Sequence, residues 1–199
     1  MNEFNVVLTG VGGQGILTLG NIIAYAALYE GYDVKTTELH GLAQRGGSIP
    51  FQIRFGKKIY SALIMEGDAD LIISHEPLEA LRACYYASKE KGTKIVFDDK
   101  VLTPVTVSVL GEKYPSIDGM KKALEDFCSE IIVLSASEIV KKETGSEITS
   151  NVFMLGYVVG KKLLPLKPEN VLKAIEKIVP PKYFDLNKKI FEMGLNYKA

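Results

Sequence analysis

FNVVLTGVGGQGILTLGNIIAYAALYEGYDVKTTE, residues Phe4–Glu38, decides the fold. Phe4–Thr9 is a short β-branched run that ends at glycine and reads as a buried strand. From Gln14 to Glu30, Ile16, Leu19, Ile23 and Ala27 recur at helical spacing among apolar neighbours, which predicts a largely buried helix. Gly31 stands where a helix favours glycine just past its end. Tyr32–Glu38 then alternates as a second strand. Strand, glycine turn, helix, glycine and strand make a βαβ unit.

Short strands and helices alternate onward from this unit. Ser48–Phe55 alternates as a strand, with Gly56-Lys57-Lys58 as a turn and Ile59–Met65 as its hairpin partner. Pro50 cannot donate to a ladder and places that strand towards an edge. Asp70–Ser74, Lys94–Phe97 and Ile131–Leu134 read as buried strands. Glu76–Ala87 is helical with Pro77 in its first turn. A helix spans about Ser116–Cys128, and Ser135 or Ser137 caps one through Val140. The last third is helical over Asn151–Lys162, Pro168–Val179 and about Asp185–Tyr197. Val171, Leu172, Ile175 and Ile178 share one face of the second of these. The expected fold is α/β, a Rossmann-like three-layer sandwich with a mainly parallel sheet and a helical C-terminal portion, with residues 1–199 as one domain.

Composition narrows the classes. Of 199 residues, 47% are hydrophobic and 24% charged, as in an ordinary globular chain. Twenty-four basic residues balance twenty-four acidic ones, so no electrostatic footprint for nucleic acid is present. The two cysteines, Cys84 and Cys128, form no C-x-x-C and cannot alone supply the cysteines of a zinc or iron–sulfur site. They read as small buried hydrophobes in a reducing compartment. The N-terminus has no basic region, and no apolar stretch approaches the roughly 20 residues of a membrane span. The expected setting is cytoplasmic.

Two constellations carry chemistry. Gly10, Gly12 and Gly15 form G-x-G-x-x-G, with Gly13 and Gln14 inside it, between a predicted strand and helix. Such a turn lets a ligand approach the backbone and offers helix N–H groups to a phosphate. Glu38 follows Gly15 by 23 residues, near where a dinucleotide site puts its ribose-binding acid. Taken alone, these residues are read equally as an NAD or FAD site and as a packing turn that binds nothing. The second constellation is HGLAQRGGS, His40–Ser48. His40 and Glu38, and likewise His75 and Glu76, fall just after predicted strands, with Arg45 in the loop after the second strand. A parallel sheet gathers them at its carboxyl edge. Arg45 would clamp a phosphate or carboxylate, or pair with Glu38 or Glu76, while Gly46 and Gly47 leave room for a ligand or second chain. The two imidazoles titrate near neutral pH, or are simply hydrogen-bonded at strand ends. No nucleophile–base pair and no H-x-x-x-H spacing is present, so no catalytic or metal-binding residue is assigned.

Together the constellations resemble a known family. The Gly10–Gly56 stretch with AQRGGS, DADLIISHEPLEALR (Asp68–Arg82), NVFMLG (Asn151–Gly156) and the terminal Asn187, Ile190, Phe191 and Gly194 are similar to the gamma-type domain of 2-oxoacid:ferredoxin oxidoreductases. The version with HGLAQRGGS looks most like the small-subunit branch that acts on indolepyruvate. Where many relatives show an aromatic residue, this chain has His75. The resemblance implies a large partner subunit carrying thiamine diphosphate and iron–sulfur clusters. It implies oxidative decarboxylation of an aryl pyruvate, reduction of ferredoxin and transfer of the acyl group to coenzyme A. It further implies that this chain is inactive alone. The glycine turn, Glu38, His40, Arg45, Gly46 and Gly47 would then serve docking or the path of coenzyme A. A stand-alone NAD- or FAD-binding protein or dehydrogenase is the alternative, and a purely structural dimer a third.

Overall fold

A computed structural model of the chain describes residues 2–38, 47–104, 107, 111 and 113–198. Six strands among them, β1 (Glu3–Thr9), β2 (Asp33–Glu38), β3 (Phe51–Gly56), β4 (Leu71–Ser74), β5 (Lys94–Asp98) and β6 (Glu130–Leu134), form one sheet in the order β2-β3-β1-β4-β5-β6. β1, β4, β5 and β6 are mutually parallel. The described helices are α1 (Ile16–Tyr29), α2 (Pro77–Arg82), α3 (Ile117–Leu124), α4 (Ala136–Thr144), α5 (Ser150–Gly160), α6 (Pro168–Ile178) and α7 (Phe184–Leu195). The α/β layering and mainly parallel sheet match the expectation from sequence.

β3 departs from it. It runs antiparallel to both neighbours, with Ile53 opposite Val6 of β1 and Thr36 of β2. It is an inner strand, with five of its six residues buried. Pro50 lies before the strand and withdraws no hydrogen bond from the ladder. Ile59–Met65 forms no strand: Ile59 and Ile64 pack inward while Tyr60, Leu63 and Met65 stay exposed. The hairpin expectation fails because β3 finds both partners elsewhere. β2 is consequently parallel to β1 but separated from it by β3.

Alternation along the strands feeds two cores. Val6 and Leu8 of β1, Ile53 of β3 and Ile73 of β4 face α1 and the C-terminal helices. Val7, Ile72, Ile95 and Phe97 face the other way, towards Ala80 of α2, Leu124 of α3 and Cys128. Cys128 is thus a core residue, and Cys84 packs at the margin of the same core.

α5 and α7 cross backbone to backbone. A Cβ on Gly156 would lie 2.2 Å from the Phe191 carbonyl oxygen, and one on Gly194 2.1 Å from that of Phe153. Phe153 and Phe191 are themselves fully buried beside this crossing. Neither Ser135 nor Ser137 caps α4 through its side chain. The buried carboxylate of Asp98, at the end of β5, instead accepts from the Ser137 N–H and hydroxyl. Burial pushes the Asp98 carboxyl up from its ordinary value. Among the described residues no helix is long and apolar enough to cross a membrane.

Candidate functional site

In this topology the chain leaves β1 towards β2 on one side and leaves β4 towards β5 on the other. The crevice beyond the carboxyl ends of β1 and β4 is the place where open α/β sheets hold ligands. It is bounded by Gly10–Gly15 after β1 and by His75 and Glu76 after β4.

The glycine turn is braced from within. The Gln14 side chain accepts from the Val11 N–H at 2.7 Å and donates to the His75 carbonyl at 2.7 Å, so one residue ties the turn to the end of β4. A Cβ on Gly10 would lie 2.7 Å from Gln14 Oε1 and 2.8 Å from Ile16 Cδ1. Gly15 has φ +74°, and its Cβ would lie 2.5 Å from Asn151 Nδ2, which donates to the Gly15 carbonyl at 3.2 Å. Gly10 and Gly15 therefore serve close packing. Gly13 differs: it has φ +107° and nothing within 4 Å of where a Cβ would be.

Residues 47–49 cross the turn. Gly12 donates to the Gly47 carbonyl at 2.9 Å, Ile49 donates to the Gly10 carbonyl at 2.9 Å, and Val11 and Ser48 form an antiparallel bridge. Three N–H groups of the turn are thus already engaged: those of Val11 and Gly12, and that of Gln14, which donates to the Val11 carbonyl at 3.1 Å. The start of α1 carries no side-chain cap and no acidic residue in its first turn, so the positive end of its dipole lacks a carboxylate neighbour on its own first turn. Gly13 and Thr18 there open onto a cleft of about 460 Å³, with Asn151, Tyr183 and Asn187 on its other walls.

Glu76 is almost wholly buried and works on the backbone. Its carboxylate caps α2 by accepting from the Glu79 N–H at 3.0 Å, and it accepts from the Leu102 N–H at 3.2 Å and the Tyr114 hydroxyl. Burial and the Glu76 carboxylate together push the Tyr114 hydroxyl well above its ordinary value. Glu79, one helical turn on and also buried, accepts from the Ser48 hydroxyl and from Arg82 at 2.5 Å. Sequence reasoning gave Glu79 and Ser48 no role, because nothing local to either signals a contact across 31 residues.

Among the described residues the His75 ring finds no hydrogen-bond partner, where one expectation from sequence has it hydrogen-bonded. Both ring nitrogens are buried and meet no partner among the described residues. Nor does it titrate near neutrality, because burial lowers its pKa to about 4. The unfolded chain takes up a proton below about pH 6.5 that the native chain refuses until near pH 4, so stability falls as pH falls through that window. The expected loss is about 2 kcal/mol between pH 7 and pH 5. Asp70 and Asp98, whose carboxyls burial pushes up, act with the opposite sign. Denaturant unfolding of the wild type against His75→Phe isolates the histidine; equal acid limbs in the two would refute the assignment.

Glu38 ends β2, opposite Phe51 of β3. Two inter-strand spacings, roughly 10 Å, separate β2 from β1. The structure therefore does not bring Glu38 beside the glycine turn as an adjacent βαβ pair would. His40, Arg45 and Gly46 lie outside the described residues.

Comparisons place the chain among known proteins. A family model described as pyruvate ferredoxin/flavodoxin oxidoreductase matches residues 5–197. The indolepyruvate oxidoreductase subunit IorB of Thermococcus kodakarensis is 41% identical over 98% of this chain and 96% of its own. The IorB subunit of Archaeoglobus fulgidus is 40% identical over 98% and 94%. Among solved structures, the pyruvate oxidoreductase subunit PORC of Thermotoga maritima aligns with a TM-score of 0.71 at 21% identity, covering 98% of this chain and 96% of that one. A 2-oxoglutarate:ferredoxin oxidoreductase from Magnetococcus marinus, solved with 2-oxoglutarate, coenzyme A and succinyl-CoA bound, aligns with a TM-score of 0.72 at 18% identity. There 98% of this chain corresponds to 30% of a longer chain. At such identities the two structures bear on the fold alone.

Proposed function

Because the chain belongs to the pyruvate ferredoxin/flavodoxin oxidoreductase family, we propose that it is the small subunit of an indolepyruvate (aryl pyruvate) ferredoxin oxidoreductase, with residues 1–199 acting as one gamma-type domain. The observation that carries the reading is identity of about 40% along nearly the whole length of subunits named for indolepyruvate. In the complex, the 2-oxo acid is oxidatively decarboxylated, ferredoxin is reduced and the acyl group passes to coenzyme A, in the cytoplasm.

Thiamine diphosphate and the iron–sulfur clusters belong to the large partner subunit. The residues of this chain do not fit a cluster. It has two cysteines, one of them in the core, and burial pushes both thiols up from their ordinary value, away from the thiolate a metal needs. The chemistry is then the partner's, and this chain contributes surface, orientation and exclusion of water. Gly13 and the start of α1, uncapped by any side chain, suit a phosphate-bearing co-substrate or an acidic partner segment, and HGLAQRGGS, with Arg45, runs directly into the strand-like segment that crosses the turn. Stand-alone NAD or FAD binding keeps the glycine turn, but β3 stands between β1 and β2, the strand that ends in its ribose-binding acid Glu38.

Affinity purification from the native cell tests the assembly: a thiamine-dependent, iron–sulfur subunit should come along, and its absence would remove the reading. Arg45→Ala should leave the fold intact and raise the KM for coenzyme A about tenfold or more, as expected for one lost charge-assisted bond. An unchanged KM together with unchanged assembly would end that role for Arg45.

A further inference from the structure

Gly47–Ile49 lies across the glycine turn through two backbone hydrogen bonds, which together make the isolated Val11–Ser48 bridge. Two backbone hydrogen bonds on a three-residue segment do not by themselves hold it, since such short pairings open readily. The one side chain of that segment with a hydroxyl is Ser48. It is directed at Glu79 of α2, a carboxylate only 2% exposed. Arg82 holds the other carboxylate oxygen at 2.5 Å and is itself half exposed. Glu79 thus joins a half-exposed surface cation, a helix anchored by the Glu76 cap, and the segment that crosses the turn.

We propose that Ser48 and Glu79 are positioning residues: their hydrogen bond latches residues 47–49 onto α2 and so fixes the glycine turn in the geometry the assembled complex uses for its co-substrate. The physical basis is a charge-assisted bond to a desolvated acceptor, which is stronger than a bond between neutral groups. Opposing the latch is only the ordering of one serine rotamer. Arg82 pairs with the same carboxylate through its other oxygen. Without the Ser48 hydroxyl, the crossing rests on the Gly12–Gly47 and Ile49–Gly10 hydrogen bonds alone among the described contacts. This inference rests on the proposed function for its consequence in turnover, though not for the latch itself.

The test is made on the intact complex with Ser48→Ala, Glu79→Gln and Ser48→Thr. Amide hydrogen exchange at Gly12 and Ile49 reads the latch independently of any activity. Ser48→Ala should speed exchange at both amides about tenfold or more, and Ser48→Thr, which keeps the hydroxyl, should restore it. The same Ser48→Ala complex should show a KM for coenzyme A raised severalfold with kcat nearly unchanged, again rescued by Ser48→Thr. Unchanged exchange at Gly12 and Ile49 in both Ser48→Ala and Glu79→Gln overturns the latch. Faster exchange with an unchanged KM overturns its part in positioning. Arg45→Ala measured alongside separates these from failure of the functional reading: a raised KM there with no effect of Ser48→Ala sinks the latch's role alone.

Discussion

Gly194→Ala should lower stability by about 3 kcal/mol and the melting temperature by about 10 °C. Alanine is the better helix former by about 1 kcal/mol, so local propensity predicts the opposite sign. Packing decides the outcome. The added methyl would sit 2.1 Å from the Phe153 carbonyl oxygen and 3.0 Å from the Tyr157 nitrogen, both backbone atoms that no rotamer change can move. α5 and α7 would have to separate, and the buried faces of Phe153, Phe191 and Ile190 would separate with them. Gly156→Ala meets the Phe191 carbonyl at 2.2 Å and should behave alike. A calorimetric melting temperature unchanged or raised in either variant would show that the helices do not cross this closely.

Glu76→Ala should cost about 4 kcal/mol or more, because it strips acceptors from three donors at once. The Glu79 N–H loses its cap, and the half-buried Leu102 N–H and Tyr114 hydroxyl lose an acceptor that is itself only 1% exposed. Glu76→Gln keeps the shape and one acceptor oxygen and should lose about half as much. Glu66→Ala, exposed, should fall within about 0.5 kcal/mol of wild type in the same urea titration. If Glu76→Ala matched Glu66→Ala, the carboxylate would not be the joint between α2 and the segments around Leu102 and Tyr114. Because the α2 cap also places Glu79, the Glu76 variants should loosen the contact of Ser48 as well.

The glycine turn was legible in sequence as a motif, and its neighbours were legible as strand and helix. The purpose of each glycine was not. Gly10 and Gly15 are excluded from bearing a side chain by Gln14, Ile16 and Asn151, one of them 136 residues away from the turn it touches. Gln14 reads from its position as a ligand contact, yet both ends of its amide are spent on Val11 and His75. Glu38 kept its spacing and lost its neighbourhood, since strand order is not written in spacing. Pro50 looks like an edge signal and Gly56–Lys58 like a hairpin turn, but a strand pairs with whichever edges bury its faces, and β3 found β1 and β2.

By itself the sequence determined the periodicities, and through them most of the elements and the α/β class, while its motifs carried the resemblance to the family. These depend on which residues recur at a spacing of two or 3.6 along the chain, a local property. Only the tertiary structure decided that β3 runs antiparallel between β1 and β2, that burial holds the His75 ring neutral with no partner among the described residues, that Glu76 accepts from two backbone N–H groups and the Tyr114 hydroxyl and Glu79 from Ser48 and Arg82, and that α5 and α7 touch through glycine. Each of these is set by contacts between residues far apart in the chain, where desolvation and packing, not spacing, select the partner.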